Sequence, residues 1–321
     1  MDLVTFGEAM VRLTPPNFQR LEQERSFDAH VGGSELNVAV AAARLGVASR
    51  WVSRLPDNPL GRMIAGRARE QGVDVCVDWT AEDRAGLYFV ETGAAPRPSS
   101  VLYDRAGSAM SRVKPGSIDW AELLHGARWF HVSGITPALS DNAATVTREA
   151  LDAAKGAGLT VSYDVNYRRK LWSPERAGAV QEPLLWYADV LITTEDDARL
   201  VCGVGTAPCE DAALELARRF DLRAVAITLS GNPWSAVVAA DGEIYRAPCY
   251  EVQVVDRIGT GDAFSAGLIV GALEGQSWDD ALRLATATSA FKRGIPGDFC
   301  VVTRAEVDAL LRDGASRRVS R

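Results

Sequence analysis

The chain has 321 residues, of which 47% are hydrophobic and 24% charged, with a formal net charge of −7. That balance allows a large core and offers no basic surface for nucleic acid. The five cysteines (Cys76, Cys202, Cys209, Cys249 and Cys300) are scattered without a CxxC pair, as expected of reduced thiols.

The chain opens on MDLVTFGEAMVRL, which lacks the basic start and apolar run of a signal peptide. Nor does any stretch reach the ~20 apolar residues of a membrane span. The expectation is a cytoplasmic protein with no membrane or nucleic-acid partner, and the basic tail SRRVSR reads as a frayed end.

In chain order, residues 3–8 read as a strand, 34–45 as a helix stopped at Gly46, and 50–55 as a second strand. Residues 60–71 form the next predicted helix, stopped at Gly72. The rhythm continues through 129–133, 141–155, 160–164, 189–192 and 224–228. Strands alternating with helices predict one α/β domain in three layers, with a mostly parallel sheet between helices.

Two segments break the rhythm. Residues 10–31 (MVRL, FDAHV) and 86–106 (GLYFVET, SSVLYDRA) look like strands without intervening helices. Strands so connected are expected to pair antiparallel, as a small sheet set over the main domain like a lid.

Two helix starts carry glycine pairs: VGGSELNVAVAAARLG at 31–46 and DRIGTGDAF at 256–264. A helix start presents unpaired N–H groups and partial positive charge, so it attracts phosphates, and glycines let the backbone come close. Asp262 would repel such a ligand unless it accepts a proton. By itself the pattern serves a capped turn equally well, since aspartate is a favourable helix-start residue. Downstream, Phe264, Leu268, Ile269 and Ala272 recur at helical spacing, with Ala266, Gly267 and Gly271 small enough for close packing.

GGSELNVA (32–39) together with DRIGTGD (256–262) resembles the paired signatures of the PfkB-type, ribokinase-like carbohydrate kinases. GLYFVE (86–91), YDRAGSAMS (103–111), HVSGITPALSD (131–141), SYDVNYRRKLW (162–172), TEDDA (194–198) and IPGDF (295–299) are similar to the 2-keto-3-deoxygluconate kinase branch. The resemblance spans nearly the whole chain.

It implies an ATP- and Mg²⁺-dependent kinase for a sugar acid, 2-keto-3-deoxygluconate going to its 6-phosphate. Asp262 would take the proton from the primary hydroxyl, and the N–H groups of Gly259, Thr260 and Gly261 would stabilise the transferred phosphoryl. Arg105 and Arg168 suit a substrate carboxylate. Tyr88 and Tyr103 would cover the sugar, Gly33 and Asn37 hold its hydroxyls, and Asp298 reach it from the C-terminal side.

Nucleotide positions fall on Asn166, Thr194, Thr228, Ser230, Gly231 and Thr286, with Asp197 near the metal through water. Thr194, Thr260 and Thr286 stand where the family more often has asparagine, alanine and asparagine. LSGNPWS replaces the usual glycine-spaced loop after Thr228.

Alternatives stay open on the sequence: a kinase for a neutral sugar of the fructose or ribose type or for a galactonate-derived epimer, and a non-catalytic sugar-acid sensor. His30, His125 and His131 lack ligand spacing and read as structural. A small lid sheet cannot bury both of its faces alone, so a homodimer packed lid to lid is expected.

Overall fold

The computed structural model describes residues 1–205, 208–229 and 233–313. In chain order its strands are β1 (Leu3–Phe6), β2 (Met10–Thr14), β3 (Asp28–Gly32), β4 (Ser49–Pro56), β5 (Asp74–Thr80), β6 (Gly86–Glu91) and β7 (Ser100–Asp104). There follow β8 (Trp129–Ser133), β9 (Thr160–Asp164), β10 (Val190–Thr194), β11 (Ala224–Leu229), β12 (Ser235–Ala240) and β13 (Glu243–Arg246).

Nine of these build the central sheet, in the order β13-β12-β11-β10-β9-β8-β1-β4-β5. Every pairing from β11 to β5 is parallel, and β12 and β13 add an antiparallel edge. Successive strand residues face opposite sides, which explains why the inner strands read as unbroken apolar runs. Leu3, Trp129, Val190 and Ala224 pack with Val38, Phe264, Leu268 and Leu284 from the helices Ser34–Arg44, Thr260–Leu273 and Trp278–Arg293. Val4, Phe130, Leu191 and Val225 pack on the other face with Val146, Leu184 and Leu216. The architecture is the expected three layers. The sequence reading passed over β5, β12 and β13. β5 and β13 are edge strands whose half-exposed residues dilute the apolar signal.

Close packing between the helices Thr260–Leu273 and Trp278–Arg293 relies on missing side chains. A Cβ on Gly267 would lie 2.6 Å from Ala285 Cα, and one on Gly271 2.7 Å from Ala281 Cα.

The second sheet has four strands in the order β3-β2-β6-β7. One expectation fails here: the sheet is not purely antiparallel, because β2 and β6 pair parallel, with Met10 opposite Gly86. A parallel pair needs a long connection between its members. The chain supplies it by running through β3, β4, β5 and two helices of the main body between Thr14 and Gly86.

Both helices that open on glycine pairs start at the C-terminal edge of the parallel strands, where β9 ends on Asp164 and β10 on Thr194. Neither start has a side-chain cap. Elsewhere Asn58, Ser140, Ser173 and Ser277 cap their helices. Bare N–H groups at these two starts thus lie at that sheet edge.

Candidate active site

A cavity of about 440 Å³ lies between this sheet edge and the inner face of the lid. Its floor is the turn at Gly259–Gly261. Gly259 has φ 82° and ψ 0°, and a Cβ there would lie 2.1 Å from the carbonyl oxygen of Asp298. Glycine is required on both counts. Thr260 Oγ1 is buried in this turn without a hydrogen-bond partner.

Asp262 follows one turn into the helix, and both of its oxygens are held. Ser34 Oγ donates to Oδ1 at 2.7 Å, and Asn37 Nδ2 donates to Oδ2 at 2.6 Å. Asn166 Nδ2 in turn donates to Ser34 Oγ at 2.8 Å. The first glycine-pair helix therefore orients the carboxylate at the mouth of the second. Its start comes this close because a Cβ on Gly33 would lie 2.0 Å from Glu8 O. Burial raises the Asp262 pKa, and the bonds from Asn37 and Ser34 together with the charge of Arg168 partly offset the rise. A carboxylate tuned upward is a better proton acceptor at neutral pH.

Asn37, expected on the sugar, lines the cavity and donates to Asp262. Ser34, inside the quoted GGSELN, was passed over because a serine at a helix start reads as an ordinary cap.

The two arginines differ. Arg105 pairs with Glu8, whose other oxygen accepts from Ser108, and its guanidinium lies 5.6 Å from the Tyr103 ring centroid. Arg168 is half-buried, and its contact is Nη1 to Tyr167 O at 3.3 Å; no carboxylate among the described residues forms an ion pair with it. Its charge nevertheless pulls down the pKa values of Asp262, Asp164 and Asp197.

Tyr88 and Tyr103 stack at 5.8 Å on the lid's inner face. Tyr88 donates to Asp298, whose second oxygen accepts from Arg12 Nη1 at 2.9 Å. Both therefore line the cavity while engaged with each other.

On the other side Thr194 caps a short helix, its Oγ1 accepting from Asp197 N at 3.0 Å. Asp197 Oδ2 accepts from Tyr167 N at 3.1 Å, and burial raises its pKa. Thr228 and Asn166 also line the cavity. Thr286 does not: it is fully buried in its helix and donates to Leu282 O at 2.8 Å, a bond that any hydroxyl at that helical position can make. Ser230 and Gly231 lie outside the described residues.

Asp164, inside the quoted SYDVNY, is a further site residue that the sequence reading missed. Burial and the neighbouring Asp262 and Asp197 push its pKa well up. Arg257, inside DRIGTGD, is exposed at the cavity wall.

Behind the site, buried Glu35 Oε1 accepts from Ser133 N, Ser133 Oγ and Thr136 Oγ1 at 3.0, 2.7 and 2.8 Å. This ties the first glycine-pair helix to the end of β8. Burial raises the Glu35 pKa from 4.5 to about 7. An acid with a raised folded pKa binds its proton more tightly when folded, so its contribution falls as pH rises from 4.5 through 7. The expected loss is roughly 3 kcal/mol by pH 8, and Glu35→Gln should remove it. Urea unfolding of both proteins at pH 5 and pH 8 checks this; parallel pH dependences would contradict it.

His131 is buried and held neutral, its pKa pulled down to about 3 by burial. Burial pushes the Cys202 thiol up to about 12, as fits an inert core thiol. Among the described residues no group of three or more His, Cys, Asp or Glu side chains could hold a metal, and no helix is long and apolar enough to cross a membrane.

The parallel sheet thus brings two bare helix starts and a buried, oriented carboxylate to one cavity. Residues 1–298 match the model of the pfkB family carbohydrate kinases, and the chain belongs to that family. It is a carbohydrate kinase. It is 43% identical over 314 residues to a 2-dehydro-3-deoxygalactonokinase of Haloferax volcanii, covering 98% of this chain and 97% of that protein. A 2-dehydro-3-deoxygluconokinase of Thermoproteus tenax is 33% identical over 93% of this chain and 90% of its own length. The crystal structure of 2-dehydro-3-deoxygluconokinase from Thermotoga maritima superposes with a TM-score of 0.95, at 41% identity, over 97% of this chain and 98% of that one.

Proposed function

We propose that the chain transfers the terminal phosphoryl group of ATP to the primary hydroxyl of a 2-keto-3-deoxy sugar acid, the gluconate-derived acid giving its 6-phosphate. The observation that carries this is Arg168, a half-buried guanidinium in the cavity wall with no carboxylate partner among the described residues. A substrate carboxylate would complete it by charge-assisted hydrogen bonds, which a neutral sugar cannot supply. The names of the relatives above point the same way.

Asp262 accepts the hydroxyl proton, freeing that oxygen to form the new bond to phosphorus as the bond to the leaving ADP breaks. Ser34 and Asn37 keep its carboxylate aimed. The N–H groups of the Gly259–Gly261 turn bind the developing negative charge, and unpartnered Thr260 Oγ1 adds a donor in the same cradle. Asn166, Thr194 and Thr228 line the side left for the nucleotide.

Asp197 and Asp164, two carboxylates whose pKa values are raised chiefly by burial, fit a Mg²⁺ that arrives on the nucleotide's phosphates rather than in a protein cage. When bound, that ion offsets phosphate charge. A coupled ADP-release assay tests the reading with the gluconate-derived acid, its galactonate-derived epimer, fructose and ribose. Turnover should be confined to the acids. Preference for a neutral sugar would contradict the substrate, and no turnover with any of them would favour a sensor.

The same reading includes a lid-to-lid homodimer. Leu102 and Phe18 are each 57% exposed, and Phe89 is half-buried edge-on to Phe27. Val11, by contrast, is buried within this chain and unavailable to a partner. Light scattering should therefore give a dimer that Leu102→Glu with Phe89→Glu dissociates. A monomer at high concentration, or a dimer indifferent to both, contradicts the interface.

A further inference from the structure

Lys292 is a fully buried lysine that the chemistry above leaves without a role. It sits in the last turn of the helix Trp278–Arg293, and its Nζ donates to Ile295 O at 2.9 Å. Its stem lies under the turn at Gly259–Gly261: a Cβ on Gly259 would come within 3.1 Å of Lys292 Cε. Burial lowers its pKa, and the charges of Asp256 and Asp298 oppose that shift.

Those two carboxylates build the turn from behind. Asp256 accepts from Ile258 N at 3.0 Å and from Gly297 N at 3.1 Å, while Asp298 O abuts Gly259. Arg12, entering from β2 of the lid, bridges both, at 2.7 Å to Asp256 and 2.9 Å to Asp298. Arg12 is the cation paired with both carboxylates, and Lys292, held through Nζ on Ile295 O, adds a second positive charge on which both act without forming an ion pair. Without Lys292 the cluster would carry a net negative charge directly behind the turn that must receive a phosphoryl group.

We infer that Lys292 is a positioning residue for phosphoryl transfer, its ammonium group neutralising Asp256 and Asp298 so that the turn at Gly259–Gly261 keeps both its shape and its attraction for the anion. This rests on the phosphoryl-transfer reading of the site. Lys292→Met keeps most of the stem and removes the charge, and Lys292→Arg keeps the charge.

The test measures kcat, sugar KM and inhibition by ADP with aluminium fluoride, an anionic mimic of the transferred group, against ADP alone. Wild-type turnover is measured first, so that a failed kinase reading is seen as such. Lys292→Met should lower kcat on the order of 30-fold and weaken the mimic by a similar factor, because charge aimed at the transition state acts there selectively. Sugar KM and ADP binding should stay within about threefold, since both are contacts already made in the ground state. Lys292→Arg should retain kcat within about tenfold of wild type, and carries the test should the methionine variant fail to fold. An unchanged kcat in Lys292→Met, equal weakening of sugar, ADP and mimic, or loss of activity in a folded Lys292→Arg would each overturn the inference.

Discussion

Asp262→Asn is expected to bind the sugar nearly as well as the parent and to lose about 10²–10⁴-fold in kcat, the range typical of removing a general base. Asparagine keeps the shape and can still accept from Ser34 Oγ, which now bonds Oδ1 at 2.7 Å. It has no basicity with which to take a proton. It also puts an NH₂ group opposite Asn37 Nδ2, now at 2.6 Å, so the Asn37 amide must flip to keep its bond. Because that adjustment is local, kcat should collapse while KM for the sugar moves little. A variant retaining more than about a tenth of the parental rate would remove Asp262 from the role of base.

The second large effect belongs to Arg168. Arg168→Leu should raise KM for a sugar acid by roughly ten- to a hundredfold, the loss of one charge-assisted pair, and leave a neutral analogue almost unchanged. The contrast with Arg105 sharpens the expectation. Arg105 is already paired with Glu8, so its removal strands a buried carboxylate and should cost stability as well as affinity. Arg168 has no such partner to strand among the described residues. Steady-state kinetics on an acid and a neutral sugar decide this, and equal losses on both would rule out a carboxylate role.

Much of this site was legible because its signals are local. Glycines at 33 and 259 mark helix starts that lack side-chain caps, and Asp262 stands one turn into the second. The parallel sheet was legible for a similar reason: strands buried on both faces read as apolar runs between amphipathic helices.

What escaped the sequence depends on which distant residues meet. That Ser34 and Asn37 would grip Asp262, more than two hundred residues away, follows from the packing of two helices and from no local pattern. Asp164 looked like the polar end of a strand until the fold set it beside Asp262 and Asp197. Arg12, within the strand-like MVRL, is buried between Asp256 and Asp298, a placement that no local pattern marks. The parallel pairing of β2 with β6 was hidden likewise, because its crossover is the main body itself.

The central claim is phosphorylation of a keto-deoxy sugar acid at its primary hydroxyl by a chain that uses Asp262 as base. Proton-coupled phosphorus NMR of the product formed from ATP and 2-keto-3-deoxygluconate tests it most directly. The account predicts a new phosphomonoester signal split into a triplet by the two protons of a terminal CH₂–O–P group, absent with Asp262→Asn over the same interval. A doublet from a secondary position, inorganic phosphate alone, or an equal signal from the Asp262→Asn variant would contradict it.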